Sequence, residues 1–202
     1  MKSDALQEEP SPLAKLFDAV EKVVIYEGKI PSDPAIWEIH IAGKILRIEA
    51  ENLTSPHTFQ KRYLKEFHSS APRLKSDQWD TFVNLMGEDA EIVPAKEESE
   101  YVYYANRIIG EISQLPETED KEEAVSRQIL LKHEGCLCLV SGKIEEIVRE
   151  NGFKIAPNRL SSTMTDLGYK AQGTKTIRCE GRRPSFWWFD PSKIAEFRGD
   201  SE

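Results

Sequence analysis

Pro157-Asn158-Arg159-Leu160-Ser161-Ser162-Thr163-Met164-Thr165-Asp166-Leu167-Gly168 is the stretch on which the fold turns. Proline suits a first helical position, and glycine suits the residue just past a helix end. Leu160, Met164 and Leu167 are spaced i, i+4, i+7, which makes one apolar stripe. The opposite side then carries Asn158, Ser161, Ser162 and Thr165, with Arg159 on its flank and Asp166 at the rim. Small polar side chains beside an arginine suit close approach to a groove. Arg forks onto guanine, Asn onto adenine, and Ser or Thr reaches phosphate or a base edge.

The neighbouring segments give this helix a context. Asp120 with Glu123 forms a capping pattern for a helix expected to run through Ala124, Val125, Ile129 and Leu130 to His133, ended by Gly135. Cys136 to Val140 reads as a short buried strand. Ser141 caps a second helix carrying Ile144, Ile147 and Val148, stopped by Asn151-Gly152. Beyond Gly168, strands are expected at Thr174–Cys179 and Ser185–Phe189, joined by Glu180-Gly181-Arg182-Arg183-Pro184. Helix, strand, helix, turn, helix, strand, turn, strand is the order of a winged helix-turn-helix, expected over residues 119–198.

The hairpin adds charge. Between Asn158 and Arg183 there are six basic residues (Arg159, Lys170, Lys175, Arg178, Arg182, Arg183) against two acids. Cations on a wing would neutralise phosphates and release counterions. Phe186-Trp187-Trp188-Phe189 pairs Phe186 with Trp188 and Trp187 with Phe189 by the period of two, and core on both sides of the strand is the favoured reading.

Upstream, residues 1–12 read as a polar, proline-punctuated disordered tail, and 13–116 as an N-terminal α+β domain of unknown role. Leu13, Leu16, Phe17 and Val20 have helical spacing, and Val23–Tyr26 could be a strand. Ile36–Ile41, Ala42-Gly43 and Lys44–Ile48 read as a β-hairpin with His40 on its solvent side. Helices are expected after Ser55-Pro56 and Ser76-Asp77, and through Tyr101, Tyr104, Ile108 and Ile112, whose tyrosines read as a packing stripe. The acidic run Glu117–Asp120 marks the expected boundary. The class is therefore α+β.

The chain has 202 residues with a net charge of −8. Met1 to Glu123 holds 14 Lys/Arg against 25 Asp/Glu, whereas Ala124 to Arg198 holds 13 against 8. Such asymmetry points to two regions with different partners. No apolar run exceeds five residues, as in Cys136–Val140, where a membrane span needs about 20. The expectation is a cytoplasmic protein with no membrane partner. Three cysteines make no disulfide scaffold.

The C-terminal part resembles winged-helix domains found in replication proteins of archaeal and phage-type mobile elements, near primase and helicase genes or fused behind them. Leu53-Thr54-Ser55-Pro56 through Phe59, and Leu74-Lys75-Ser76-Asp77-Gln78-Trp79, resemble segments that precede such domains. The resemblance implies DNA binding or an accessory role in replication. Catalytic motifs are lacking. Gly135 and Gly142 are too far apart for a phosphate loop, and Ile144 follows Lys143 where a hydroxyl should bind magnesium. His133, Cys136, Cys138 and Cys179 have poor spacing for zinc, so neither metal nor other cofactor is expected.

Two functions are expected from these readings. The first is a non-catalytic DNA-binding protein, associated with replication or transcription in a mobile element. It would read duplex through Asn158, Arg159, Ser161, Ser162 and Thr165, and grip the backbone with Lys170, Lys175, Arg178, Arg182 and Arg183. The second is an adaptor whose acidic N-terminal domain docks a replication protein, with the winged helix as a docking module. A homodimer stays open in both.

Overall fold

A computed structural model describes residues 10–95, 97–171, 177–181 and 183–199. The chain divides into two compact units. One comprises Met1–Lys29 and Pro34–Lys96, the other Ile30–Asp33 and Glu97–Glu202. The class is α+β, with eight α-helices and two four-stranded sheets among the described residues.

The first unit begins with α1 (Pro12–Phe17), where the Ser11 hydroxyl accepts from the Ala14 N–H at 3.2 Å. Strands β1 (Val20–Glu27), β2 (Ile36–Ile41) and β3 (Lys44–Glu49) form an antiparallel meander. Ala42 and Gly43 both take positive φ (47° and 71°), which matches the right-handed twist of the flanking strands in a two-residue hairpin. After a 3-10 turn at Ala50–Leu53 come α2 (Pro56–Phe67) and α3 (Ser76–Glu88). Then β4 (Glu91–Pro94), which the sequence reading did not anticipate, pairs parallel to β1 and gives the order β3-β2-β1-β4.

Leu16, Val23, Ile39, Leu46, Phe59, Trp79 and Phe82 share the core of this unit. Buried Trp79 donates its indole N–H to the Leu53 carbonyl at 2.9 Å, which satisfies both groups away from water. On the strand positions opposite Ile39, Glu38 is only 6% exposed and accepts from Tyr26 (3.2 Å) and the Arg47 Nε (2.6 Å). His40 is half-buried there rather than fully solvated.

The second unit is built on α4 (Glu100–Ser113), capped by the Ser99 hydroxyl. Ile108, Ile109 and Ile112 are fully buried and share one core with residues as late as Ile194. The division between units therefore falls near Lys96, well before the acidic run taken as the boundary. An apolar stripe shows that a helix packs on something, but not on which unit.

Next come β5 (Glu117–Thr118), α5 (Lys121–Arg127), β6 (Leu130–His133), β7 (Cys136–Val140), α6 (Ser141–Glu150), α7 (Pro157–Asp166), β8 (Phe186–Phe189) and α8 (Pro191–Arg198). The helix expected to reach His133 stops at Arg127, because Gln128 turns left-handed (φ 53°). Leu130–His133 is instead a strand antiparallel to β7. Glu134 and Gly135, with φ of 47° and 74°, make the two-residue turn between them.

The sheet runs β5-β6-β7-β8 and is covered on both faces. One face gathers Leu130, Leu137, Leu139 and Phe189 with α4, α6, α7 and α8; the other gathers Leu131, Cys138, Phe186 and Trp188 with Ala124, Ile177 and Cys179. The aromatic strand thus packs on both sides, with Trp187 partly buried against the helical side.

Candidate nucleic-acid interface

Helix α7 has three sides, each set by a different chemistry. Leu160 and Met164 are 1% and 0% exposed and belong to the core with α4 and α6, and Leu167 packs against them. A second stripe, Arg159, Thr163 and Asp166, is tied to the short segment Ile30–Asp33. Arg159 donates from Nη1 to the Ser32 carbonyl at 2.7 Å, and the Ser32 N–H donates to an Asp166 carboxylate oxygen at 2.7 Å. Buried Thr163 faces the Ser32 hydroxyl at 3.4 Å and donates to the Arg159 carbonyl at 3.0 Å. The Arg159 guanidinium also lies over the Tyr101 ring, 5.2 Å from its centroid. Asp33 continues the tie by accepting from the Ser99 hydroxyl at 2.5 Å.

The third stripe is Asn158, Ser161, Ser162 and Thr165. Asn158 and Ser162 are exposed, whereas Ser161 and Thr165 are half-buried. Ser162 and Thr165 donate to carbonyls four residues back, at 3.1 and 2.9 Å. This satisfies the hydroxyl protons, and each oxygen keeps lone pairs able to accept. Pro157 starts the helix and Gly168 (φ 75°) follows its end, where the Tyr169 N–H bonds the Met164 carbonyl at 2.9 Å.

The basic residues divide. Lys170 is not a free cation: its ammonium donates to the Ser161 hydroxyl at 2.6 Å and sits 5.1 Å from the Trp187 ring centroid. Burial pushes it below the usual lysine range. Arg178 and Arg183 are exposed, and neither has a side-chain bond or ion pair to a described residue. Lys175 and Arg182 lie outside the described residues, as do the first three residues of the expected strand Thr174–Cys179 and the first nine residues of the tail; Ile177 and Arg178, which are described, are not in a strand.

The structure therefore keeps Asn158, Ser161, Ser162 and Thr165 on one stripe and moves Arg159 to another. Ser32 and Tyr101, which hold Arg159, were missed. Nothing local in the sequence marks Ser32 as a partner of a helix 127 residues later. Beside α7, an open hollow of about 390 Å³ is lined by Ile144, Val148, Ile155, Leu160 and Trp187, among others.

Among the described residues no group of three or more His, Cys, Asp or Glu is placed to hold a metal. His133 packs its ring against Trp188 at 5.8 Å, and Cys138 is in the core. No helix among them is long and apolar enough to cross a membrane. No protein-family model, curated protein or solved structure matches the chain.

Proposed function

We propose that this chain is a non-catalytic DNA-binding protein that engages duplex through the outward stripe of α7. The stretch between α7 and β8 would grip the backbone. The observation that carries the reading is the division of α7 into three sides. Asn158 and Ser162 on its polar stripe are exposed, with Ser161 and Thr165 half-buried beside them, while core and Ser32 contacts occupy the other sides. A helix held on two sides with a small polar third side is rigid and slim enough for a major groove.

A winged-helix arrangement is the finer form of this reading. Helices α4, α6 and α7 share one core with β7 and β8. The bridge between Lys170 and Phe189 runs the chain leaving α7 antiparallel to β8, as the first strand of a wing would run. In this reading α4 acts as the first helix, in place of the Asp120–His133 stretch.

The test is a fluorescence titration of labelled random duplex at about 50 and 200 mM salt. Arg178→Ala with Arg183→Ala should lower the salt slope by about 0.9 for each lost phosphate contact, about 1.8 in all. Over that fourfold salt range, the parent should lose about 12-fold more affinity than the variant. Asn158→Ala with Ser162→Ala should leave the slope alone and erode discrimination between sequences. Unchanged affinity and slope in the arginine variant would refute the backbone grip. The adaptor alternative makes the opposite prediction: no retention on DNA at low salt, and co-purification with a protein.

A further inference from the structure

The first unit carries a second charged surface that the whole-chain charge conceals. Met1–Glu123 is strongly acidic, yet Leu53–Lys75 within it holds five Lys/Arg and one acid, Glu66. Helix α2 sorts this stretch by face. Phe59 lies in the core with Tyr63 and Phe67 packed against it, and their rings run in series (centroids 5.9 and 4.3 Å apart). The opposite side presents His57, Lys61, Leu64 and Lys65, with Arg62 beside them, all exposed. Arg73 is exposed on the stretch that follows. Lys44 adds a cation at the helix end, donating to the Glu66 carbonyl and lying 5.1 Å from the Phe67 ring centroid.

Lys61, Arg62, Lys65 and Arg73 form no ion pair or side-chain hydrogen bond with a described residue. Like charges at i, i+4, as in Lys61 and Lys65, repel each other and weaken a helix. Only Lys65 lies in the last turn, where the helix dipole favours a cation. In a unit rich in carboxylates, leaving this face unpaired keeps it open to an external polyanion.

We propose that the outward face of α2, with Arg73, binds the phosphate backbone of a nucleic acid, independently of α7. Lys61 and Lys65 stand about 6 Å apart along the helix axis. A strand offers a phosphate about every 3.4 Å of duplex axis, so both can engage one strand. An anionic membrane fits less well, because the apolar side of α2 is used in its own core and leaves only Leu64 to insert. A protein partner would need a buried apolar or aromatic anchor, and Leu64 is the sole large apolar residue exposed on this helix among the described residues.

The test uses the full chain with K61Q, R62Q and K65Q combined, titrated with random duplex and with single-stranded oligo-dT. The salt slope on duplex should fall by about 0.9 per lost contact, up to about 2.7, with the thermal midpoint unchanged. Slope and affinity equal to the parent's overturn the proposal. So does a parent whose binding to nucleic acid is insensitive to salt. Binding to phosphatidylserine vesicles or an acidic peptide that the triple variant abolishes, with DNA binding untouched, also overturns it. Should the triple variant lower the midpoint, K61Q and K65Q are read singly, and unchanged slopes there overturn it. The Arg178/Arg183 variant separates the two sites. If it loses binding and the α2 variant does not, α7 stands and α2 falls; the reverse result removes α7 alone.

Discussion

Replacing Arg159 with alanine separates a structural tie from a phosphate contact. The guanidinium makes a 2.7 Å bond to the Ser32 carbonyl and lies 5.2 Å from the Tyr101 ring centroid. A hydrogen bond from a charged donor is worth about 1.5–3 kcal/mol, and a half-buried site takes the low end. Stacking on the ring adds about 0.5 kcal/mol at a partly exposed site. Arg159→Ala should therefore cost about 2 kcal/mol, a roughly 30-fold shift in the unfolding equilibrium. For a unit of about 100 residues this lowers the melting midpoint by about 10 °C. Urea and thermal unfolding followed by near-ultraviolet circular dichroism measure the loss. The DNA titration should show a salt slope equal to the parent's once the protein is held well below its midpoint. Full stability combined with a slope lowered by about 0.9 would refute the reasoning. It would make Arg159 a phosphate ligand rather than a tie to Ser32 or the base reader that its place on the helix first suggested.

Three further outcomes follow from local geometry. Glu134 sits at φ 47° in the two-residue turn before Gly135. Glu134→Asn should raise stability by about 0.5–1 kcal/mol in urea unfolding, since Asn tolerates that region better; a loss would refute the turn. Burial pushes the Glu117 carboxyl up, but the Lys132 ammonium at 2.9 Å and the Arg198 guanidinium outweigh it and hold it below the usual glutamate range. The unfolded chain then binds the proton first as pH falls. The stabilisation from Glu117 is complete above the ordinary glutamate value and is lost as pH drops through its folded value. Glu117→Gln should lower stability at neutral pH and flatten the acid limb, and an unchanged pH profile would refute this. Among the thiols, Cys138 is fully buried, burial pushes Cys179 up, and Cys136 is half-exposed. Thiol titration of the native protein should modify Cys136 first, and mass mapping that finds Cys138 first would contradict the sheet register.

Much of the local structure was legible from side-chain spacing. The inward stripe of α7 showed as Leu160, Met164 and Leu167, and the β2–β3 hairpin as alternation around Ala42-Gly43. Spacing failed where a strand is covered on both faces. Leu130 and Leu131 are both buried, on opposite sides of one sheet, so no alternation distinguishes them from a helix end. Only the left-handed turn at Gln128 decides the matter, and glutamine gives no sign of it. Strand β4 is short, lies at a sheet edge and ends in proline, so its pairing with β1 rests on tertiary placement. The candidate site was legible as a polar helix face. The subtraction of Arg159 from that face was not, because a contact across 127 residues leaves no local pattern.

The tie between Ser32 and α7 has a consequence for how the chain is made. Residues Ile30–Asp33 leave the ribosome early, and the Asp166 carboxylate that receives the Ser32 amide comes 134 positions later. During synthesis that short peptide waits undocked until the last third of the polypeptide emerges. A fragment cloned from Glu97 onward would lack it altogether, and Arg159 and Asp166 would be born without their neighbour. Domain dissection by truncation would then report on a helix flank that has lost the Ser32 contacts present in the intact protein.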